Sequence, residues 1–171
     1  MKKIILLGYM GCGKSTVAKI ISKKLQIIHI DLDEIIEKAT GLSITELFDK
    51  KGEIYFRKLE HQLLTETVVQ HQNFVLSLGG GTPCYYNNHE ILEQQDVTSF
   101  YLKASIDTLF SRLYDQKTQR PLIAALDEVS LKEFIAKHLF DRSFYYYKAQ
   151  FVIDANPGPE ETAAAILNYL A

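Results

Sequence analysis

The residues with the plainest chemical meaning stand in one run, Gly8-Tyr9-Met10-Gly11-Cys12-Gly13-Lys14-Ser15-Thr16. Two glycines with four residues between them, followed by Lys and then Ser, fit the phosphate-binding loop pattern. The flanks agree with that pattern. Ile4 to Leu7 reads as a buried strand and Val17 to Leu25 as a helix. A chain that leaves a strand and enters a helix through glycines turns successive backbone N–H groups around a polyanion. The helix N-terminus adds its partial positive charge to that nest. Gly11, Cys12, Gly13, Lys14, Ser15 and Thr16 would hold the phosphates of a nucleoside triphosphate. Lys14 reaches the outer phosphates, and Ser15 places its hydroxyl on a phosphate-bound magnesium ion. The competing reading, a glycine-rich turn that binds nothing, does not need the lysine and the hydroxyl.

Other candidates lie along the chain. Asp31 and Asp33 follow the expected second strand, Ile27 to Ile30, and ligands of open parallel sheets sit beyond the carboxyl ends of strands. Either aspartate is also a fit N-cap for a helix from Glu34 to Ala39. Gly79-Gly80-Gly81 ends a third strand, Phe74 to Leu78. Glycines there let a ligand approach the backbone, with a flexible turn as the alternative. The basic residues are fifteen Lys and only four Arg: Arg57, Arg112, Arg120 and Arg142. In a chain this sparing of arginine, each one is a candidate for planar, two-pronged contact with carboxylate or phosphate. Arg57 and Glu60 are three apart on one helical face, which by spacing alone favours a solvated surface pair over a guanidinium that Glu60 holds in place.

The elements that must position these groups alternate strand and helix. Gly41 closes the helix after Asp33, and Ser43 with Glu46 forms a capping box opening a short helix to about Lys50. Gly52 stops that helix, and Glu53 to about Gln70 is a longer one. Asn87 or Asn88 caps a short helix to about Gln94, and Val97 to Leu102 is the fourth strand. Ser105 to Leu113 is a helix carrying Arg112. Residues 114–126 have no helical period, are polar and include Arg120, as in a mobile lid. Ser130 with Glu133 is a second capping box, for a helix to about Tyr147 that carries Arg142. Tyr145 to Tyr147 read as packing residues. Gln150 to Ile153 is a fifth strand, and Pro159 opens the last helix. The expectation is one domain of 171 residues with a five-stranded parallel sheet sandwiched by helices.

Composition excludes several classes. A net charge of −2 leaves no basic field for nucleic acid. No apolar run is long enough to span a membrane, and the N-terminus lacks a signal-peptide cleavage pattern. Cys12 and Cys84 have no metal-ligand spacing and fit a reducing, cytoplasmic setting. Cys12 is either a thiol activated by its loop or a small filler. A GTPase would need Asn-Lys-x-Asp, which is missing, and Asp49-Lys50-Lys51-Gly52 follows a helix rather than a strand. A partner-driven ATPase would end an apolar strand in Asp or Asp-Glu, whereas the third strand here ends in glycines. A small-molecule kinase needs an acceptor pocket beside the phosphate loop, and Asp33, Arg57, Gly80 and Arg142 supply its parts.

The phosphate loop, Asp31-Leu32-Asp33, Phe56-Arg57 with Glu60, Gly79-Gly80-Gly81, Arg120-Pro121-Leu122 and Arg142 together resemble the shikimate kinase family, in order and over nearly the whole chain. The resemblance implies the nucleoside-monophosphate-kinase fold, a substrate-binding helical region at about 32–61 and a lid at 114–126. It implies transfer of the γ-phosphoryl group of ATP to the 3-hydroxyl of shikimate, on the route to aromatic amino acids. The carboxylate would go to Arg57 and Arg142, and the ring to Asp33 and the glycine run Gly79, Gly80 and Gly81. Asp33 would act as base or orienting group and Asp31 as a partner of Mg²⁺ through water. Arg120 would swing from the lid onto the phosphates, and Arg112 would stack on adenine. The implied catalytic set is Lys14, Asp33 and Arg120, in a cytoplasmic monomer that uses neither nucleic acid nor membrane. One departure is that family members often carry an arginine before a proline after the last strand. Here that loop is Asp154-Ala155-Asn156-Pro157, without one. The rival assignments are a gluconate-type kinase, which would leave Arg57 and Arg142 without purpose, and a non-catalytic nucleotide-binding regulator, which would not need the lid arginine.

Overall fold

Four consecutive aliphatic residues, Ile4 to Leu7, cannot all be buried by an element with one wet face, so their strand must be covered on both sides. The computed structural model, which describes residues 2–171, meets that condition. β1 (Lys2–Leu7) is the central strand of five, in the order β2-β3-β1-β4-β5, and Ile5, Leu6 and Leu7 are fully buried. β2 (Ile28–Asp31), β3 (Asn73–Ser77), β4 (Val97–Lys103) and β5 (Phe151–Asp154) all pair in parallel. The registers run Ile4 to Val75, Ile4 to Thr98, and Phe100 to Phe151. Parallel pairing puts every strand's carboxyl end on one edge, and the chain from β1 leaves toward β2 across β3 while β4 and β5 lie on the other side. That reversal opens a crevice at the end of β1.

The helices follow from their stop signals. α1 (Lys14–Leu25) starts at Gly13 and packs on β3 and the C-terminal α7 (Pro159–Leu170), which opens on its proline as expected. α2 (Leu32–Thr40) ends at Gly41 in the left-handed region, φ 68°. α3 (Ile44–Lys51) carries the complete Ser43/Glu46 capping box, and α4 (Glu53–Gln70) packs on both α2 and α3. α5 (Ile106–Tyr114) is capped by Ser105, and α6 (Glu128–Tyr146) packs against it.

Three expected starts move. α2 begins two residues before Glu34 because the Asp31 side chain accepts from the backbone N–H groups of both Asp33 and Glu34. α6 is capped not by Ser130 but by Asp127, whose carboxylate accepts from Ser130 N at 2.7 Å. Neither Asn87 nor Asn88 caps the 3-10 stretch Asn88–Glu93 through its side chain. Asn87 takes φ 56°, and Asn88 turns inward to be buried. Among the described residues no helix is long and apolar enough to cross a membrane.

Candidate active site

The phosphate loop is folded tightly against the sheet. A Cβ on Gly8, which sits at φ 146°, would come 2.7 Å from Leu102 O and 2.8 Å from Cys12 Sγ. Gly13, at φ 98°, turns the chain into α1 and leaves the first N–H groups of the helix without side-chain caps. Those groups face the mouth of a cavity of about 620 Å³, large enough for a nucleotide. Its lining comes from the loop, Asp31, Asp33, Gly79, Gly80, Arg112, Arg120 and the turn Pro157–Pro159. Lys14 curls back over the loop, with Nζ donating to Gly8 O at 2.7 Å and Tyr9 O at 3.1 Å. Cys12 is buried under it and fills space against Gly8, which decides for the packing role.

Asp31 does both of the jobs that its position allowed. Its Oδ1 caps α2, and its Oδ2 accepts from Ser15 Oγ at 2.8 Å, tying the end of β2 to the first turn of α1. By starting the helix at once, the cap moves Asp33 from the strand end into the first turn of α2. There the Asp33 carboxyl is pushed up from 3.8 to about 6, chiefly by burial and then by the negative charges of Asp31 and Glu60, with Lys14 pulling the other way.

The glycine run works through its missing side chains. None of Gly79, Gly80 and Gly81 has a positive φ. Instead, they let charged side chains lie against the backbone, and at Gly79 Thr82 Oγ1 and Glu60 Oε2 crowd the same space, at 3.0 and 3.5 Å from an added Cβ. A Cβ on Gly79 would stand 3.1 Å from Asp33 Oδ1, one on Gly80 3.2 Å from Arg142 Nη1, and one on Gly81 2.5 Å from Arg57 Nη2. Three groups expected at the acceptor pocket are therefore brought together by three successive residues.

Arg57 and Glu60 are no solvated pair. Arg57 is buried, Glu60 is 1% exposed, and Nη1 meets Oε1 at 2.7 Å. The guanidinium lies close against Gly81 and against the Tyr85 ring, whose centroid is 4.1 Å from Cζ. Arg142 sits 5.7 Å from the centroid of the Tyr9 ring, and the Tyr9 hydroxyl is 3.0 Å from His138 Nδ1, one turn before Arg142 on α6. Burial pushes Tyr9 up to about 12, so it stays a neutral phenol. The Cys84 thiol, raised to about 11 by burial, feels the positive charges of Arg142 and Arg57 from within the same corner.

Sequence reasoning missed several supports. Tyr146 is fully buried and donates to Gly80 O at 2.6 Å. Its spacing of four from Arg142 on one helix was the available signal. Thr82 Oγ1 donates to Glu60 Oε2 at 2.7 Å, a contact across twenty-two residues that no local pattern marks. Arg112 bridges two loops, with Nη1 donating to Gly11 O at 3.3 Å and Nη2 to Ala155 O at 2.9 Å. It thereby bolts the phosphate loop to the loop after β5, whose Pro157 and Pro159 line the cavity. Arg120 stands on the stretch after α5, with Nη2 3.4 Å from Gln116 Oε1 and no anchor in the sheet.

Hard oxygen donors suit magnesium, and the Ser15 hydroxyl with the Asp31 carboxylate beside the phosphate loop is such a set. Among the described residues no group of three or more His, Cys, Asp or Glu side chains forms a metal cage. An ion carried on nucleotide phosphates needs only one or two protein oxygens and water.

A family model described as shikimate kinase matches residues 10–171. A shikimate kinase of Flavobacterium johnsoniae is 58% identical, with 100% of each chain covered. The crystal structure of shikimate kinase from Bacteroides thetaiotaomicron superposes with a TM-score of 0.92 at 36% identity, covering 99% of this chain and 98% of that one. Shikimate kinase from Acinetobacter baumannii in complex with shikimate does so at 0.87 and 31%, covering 99% and 93%.

Proposed function

This chain belongs to the shikimate kinase family, and we propose that its site divides the reaction among the residues just described. The enzyme transfers the γ-phosphoryl group of ATP to the 3-hydroxyl of shikimate, a step toward the aromatic amino acids. The observation that carries the residue assignment is the glycine run, against which Asp33, Arg142 and Arg57 pack in succession beside the phosphate loop.

Shikimate's carboxylate is received by Arg57 and Arg142, whose planar forks match its two oxygens. The Gly80 backbone and Asp33 hold the ring hydroxyls. With a pKa near 6, Asp33 is ionised at neutral pH yet basic enough to orient the attacking hydroxyl and receive its proton. Gly11 to Thr16 bind the nucleotide's phosphates. Lys14 leaves its carbonyl partners for the outer phosphates, and Arg120 closes from the lid to offset charge on the transferring group. Ser15, and Asp31 through water, would hold Mg²⁺, which would supply further charge neutralisation. Arg112 lies at the adenine end. We read the whole chain as one catalytic domain with a lid at 114–126, working as a cytoplasmic monomer. Its two free cysteines motivate the cytoplasmic part of that reading, and sedimentation at micromolar concentration and cell fractionation check it.

The decisive experiment replaces shikimate with the analogue whose carboxylate is reduced to hydroxymethyl. A ligand without the carboxylate leaves the Arg142 guanidinium, and the Arg57 donors that Glu60 does not occupy, desolvated without their anion, so the acid should win by roughly 2–5 kcal/mol in kcat/KM. Arg57→Ala should remove most of that preference, and Arg57→Lys should restore only part of it. A preference unchanged in both Arg57→Ala and Arg142→Ala would mean that the pocket is misassigned.

A further inference from the structure

Two surfaces bear on the plane of the Arg57 guanidinium, the backbone of Gly81 and the Tyr85 ring. Neither stops it from sliding or turning within that plane. The in-plane restraint is the 2.7 Å bond from Nη1 to Glu60 Oε1, since Glu53 Oε1 stands 3.7 Å from Nε on a half-exposed side chain. A glutamate is a poor ruler by itself, because its terminal torsion is soft. Its other oxygen must also be held.

We propose that Thr82 is the positioning residue that does this, setting the attitude of Arg57 through Glu60 and so the enzyme's grip on the substrate carboxylate. The inference rests on the assignment of Arg57 given above. Thr82 is fully buried and donates from Oγ1 to Glu60 Oε2 at 2.7 Å. With both oxygens bonded, the Glu60 carboxylate has one orientation. Thr82 is itself pinned at three places. Its N–H donates to Gly79 O at 3.1 Å, its carbonyl accepts from Asn88 Nδ2 at 2.9 Å, and its β-branched side chain has few χ1 choices. Asn88 Oδ1 lies 2.7 Å from Nδ1 of His61, the residue after Glu60, so the chain of bonds closes back on α4. Valine at this position would keep the shape and lose only the donor, leaving a buried carboxylate oxygen unpaired.

The test is steady-state kinetics of Thr82→Val with shikimate and with its hydroxymethyl analogue, beside Thr82→Ser and Arg57→Ala. Thr82→Val should raise the KM for shikimate about tenfold, because an unanchored Glu60 lets Arg57 leave the attitude that matches the carboxylate's two oxygens, with kcat and the KM for ATP within about twofold. The preference for acid over alcohol should fall by the same factor. Thr82→Ser should return both to wild type, because it restores the hydroxyl. If Thr82→Val does not fold, Thr82→Ala compared with Thr82→Ser reads the same quantity. An acid preference intact in the folded hydroxyl-free variant, or a serine variant as impaired as it, overturns the inference. If Arg57→Ala loses the preference while the Thr82 variants keep it, only Thr82 is misread. If Arg57→Ala keeps it too, the carboxylate assignment itself fails.

Discussion

Asp33 is held in a state that the folded chain, left alone, disfavours. Raising a carboxyl from 3.8 to about 6 costs the ionised form about 3 kcal/mol relative to the unfolded chain. The sign follows from proton binding. Between pH 3.8 and 6 the folded state holds more protons than the unfolded one, so stability falls as pH rises through that interval. The penalty is fully present above about 6 and absent below about 3.8. Asn has the shape of the protonated acid and no charge, so Asp33→Asn should stabilise the free enzyme at neutral pH while destroying activity. Three kcal/mol in a chain of this size corresponds to roughly 6–12 °C in Tm, and solvent relaxation trims that figure. The assay is thermal unfolding of wild type and variant at pH 7.5 and pH 5, with ADP release measured in parallel. At pH 5 about half of the gap should remain. The wild-type kcat/KM for shikimate should fall as pH drops through about 6. A variant less stable than wild type at pH 7.5, or a gap of the same size at both pH values, refutes the account of Asp33.

The other outcomes test the surroundings. Arg120→Ala should lower kcat far more than it weakens shikimate binding, because the arginine meets only the transferring group. Hydrogen exchange should show 114–126 as the fastest-exchanging internal stretch of the free enzyme, slowed when both substrates are present. Tyr146→Phe removes the 2.6 Å bond to Gly80 O and should cost about 1 kcal/mol of stability, with a drop in kcat/KM for shikimate that follows the loosened backbone. Gly81→Ala must move the Arg57 guanidinium by crowding Nη2 and should lower the acid preference. Gly41→Ala, at φ 68° with open space around its Cβ, should lower stability alone, and kinetics beside denaturant melts separate the two.

Much of the fold was written locally. The strand runs, the Ser43/Glu46 box, Gly41, Gly52 and Pro159 each act within a few residues, and each does in the structure what its chemistry dictates. The shifted boundaries arose where two local signals competed. At α6, Asp127 and Ser130 both offered a cap, and the aspartate, one turn earlier, took the N–H of the serine. At Asp31 a single carboxylate had two oxygens to give, so capping a helix and meeting Ser15 were never alternatives.

The site divides along a different line. Lysine in a phosphate loop, paired aspartates and rare arginines are legible because each is a costly residue with few bland uses. Their supports are ordinary residues whose meaning exists only in contact. Tyr146 reads only as packing, and no pattern marks Thr82 or Tyr85, until Gly80, Glu60 and Arg57 are placed beside them. Even the burial of Glu60 is not legible in its spacing, because an i,i+3 pair says which side chains meet and nothing about which face of α4 is buried. The glycine run shows the limit most sharply. Three glycines suggest backbone freedom, but their dihedrals are ones that any residue adopts. What the chain needs there is the absence of three Cβ atoms, so that a carboxylate and two guanidinium groups can stand against one another's backbone supports at the end of β3. That requirement belongs to the side chains arriving from α2, α6 and α4, so it is encoded elsewhere in the sequence than where it is met.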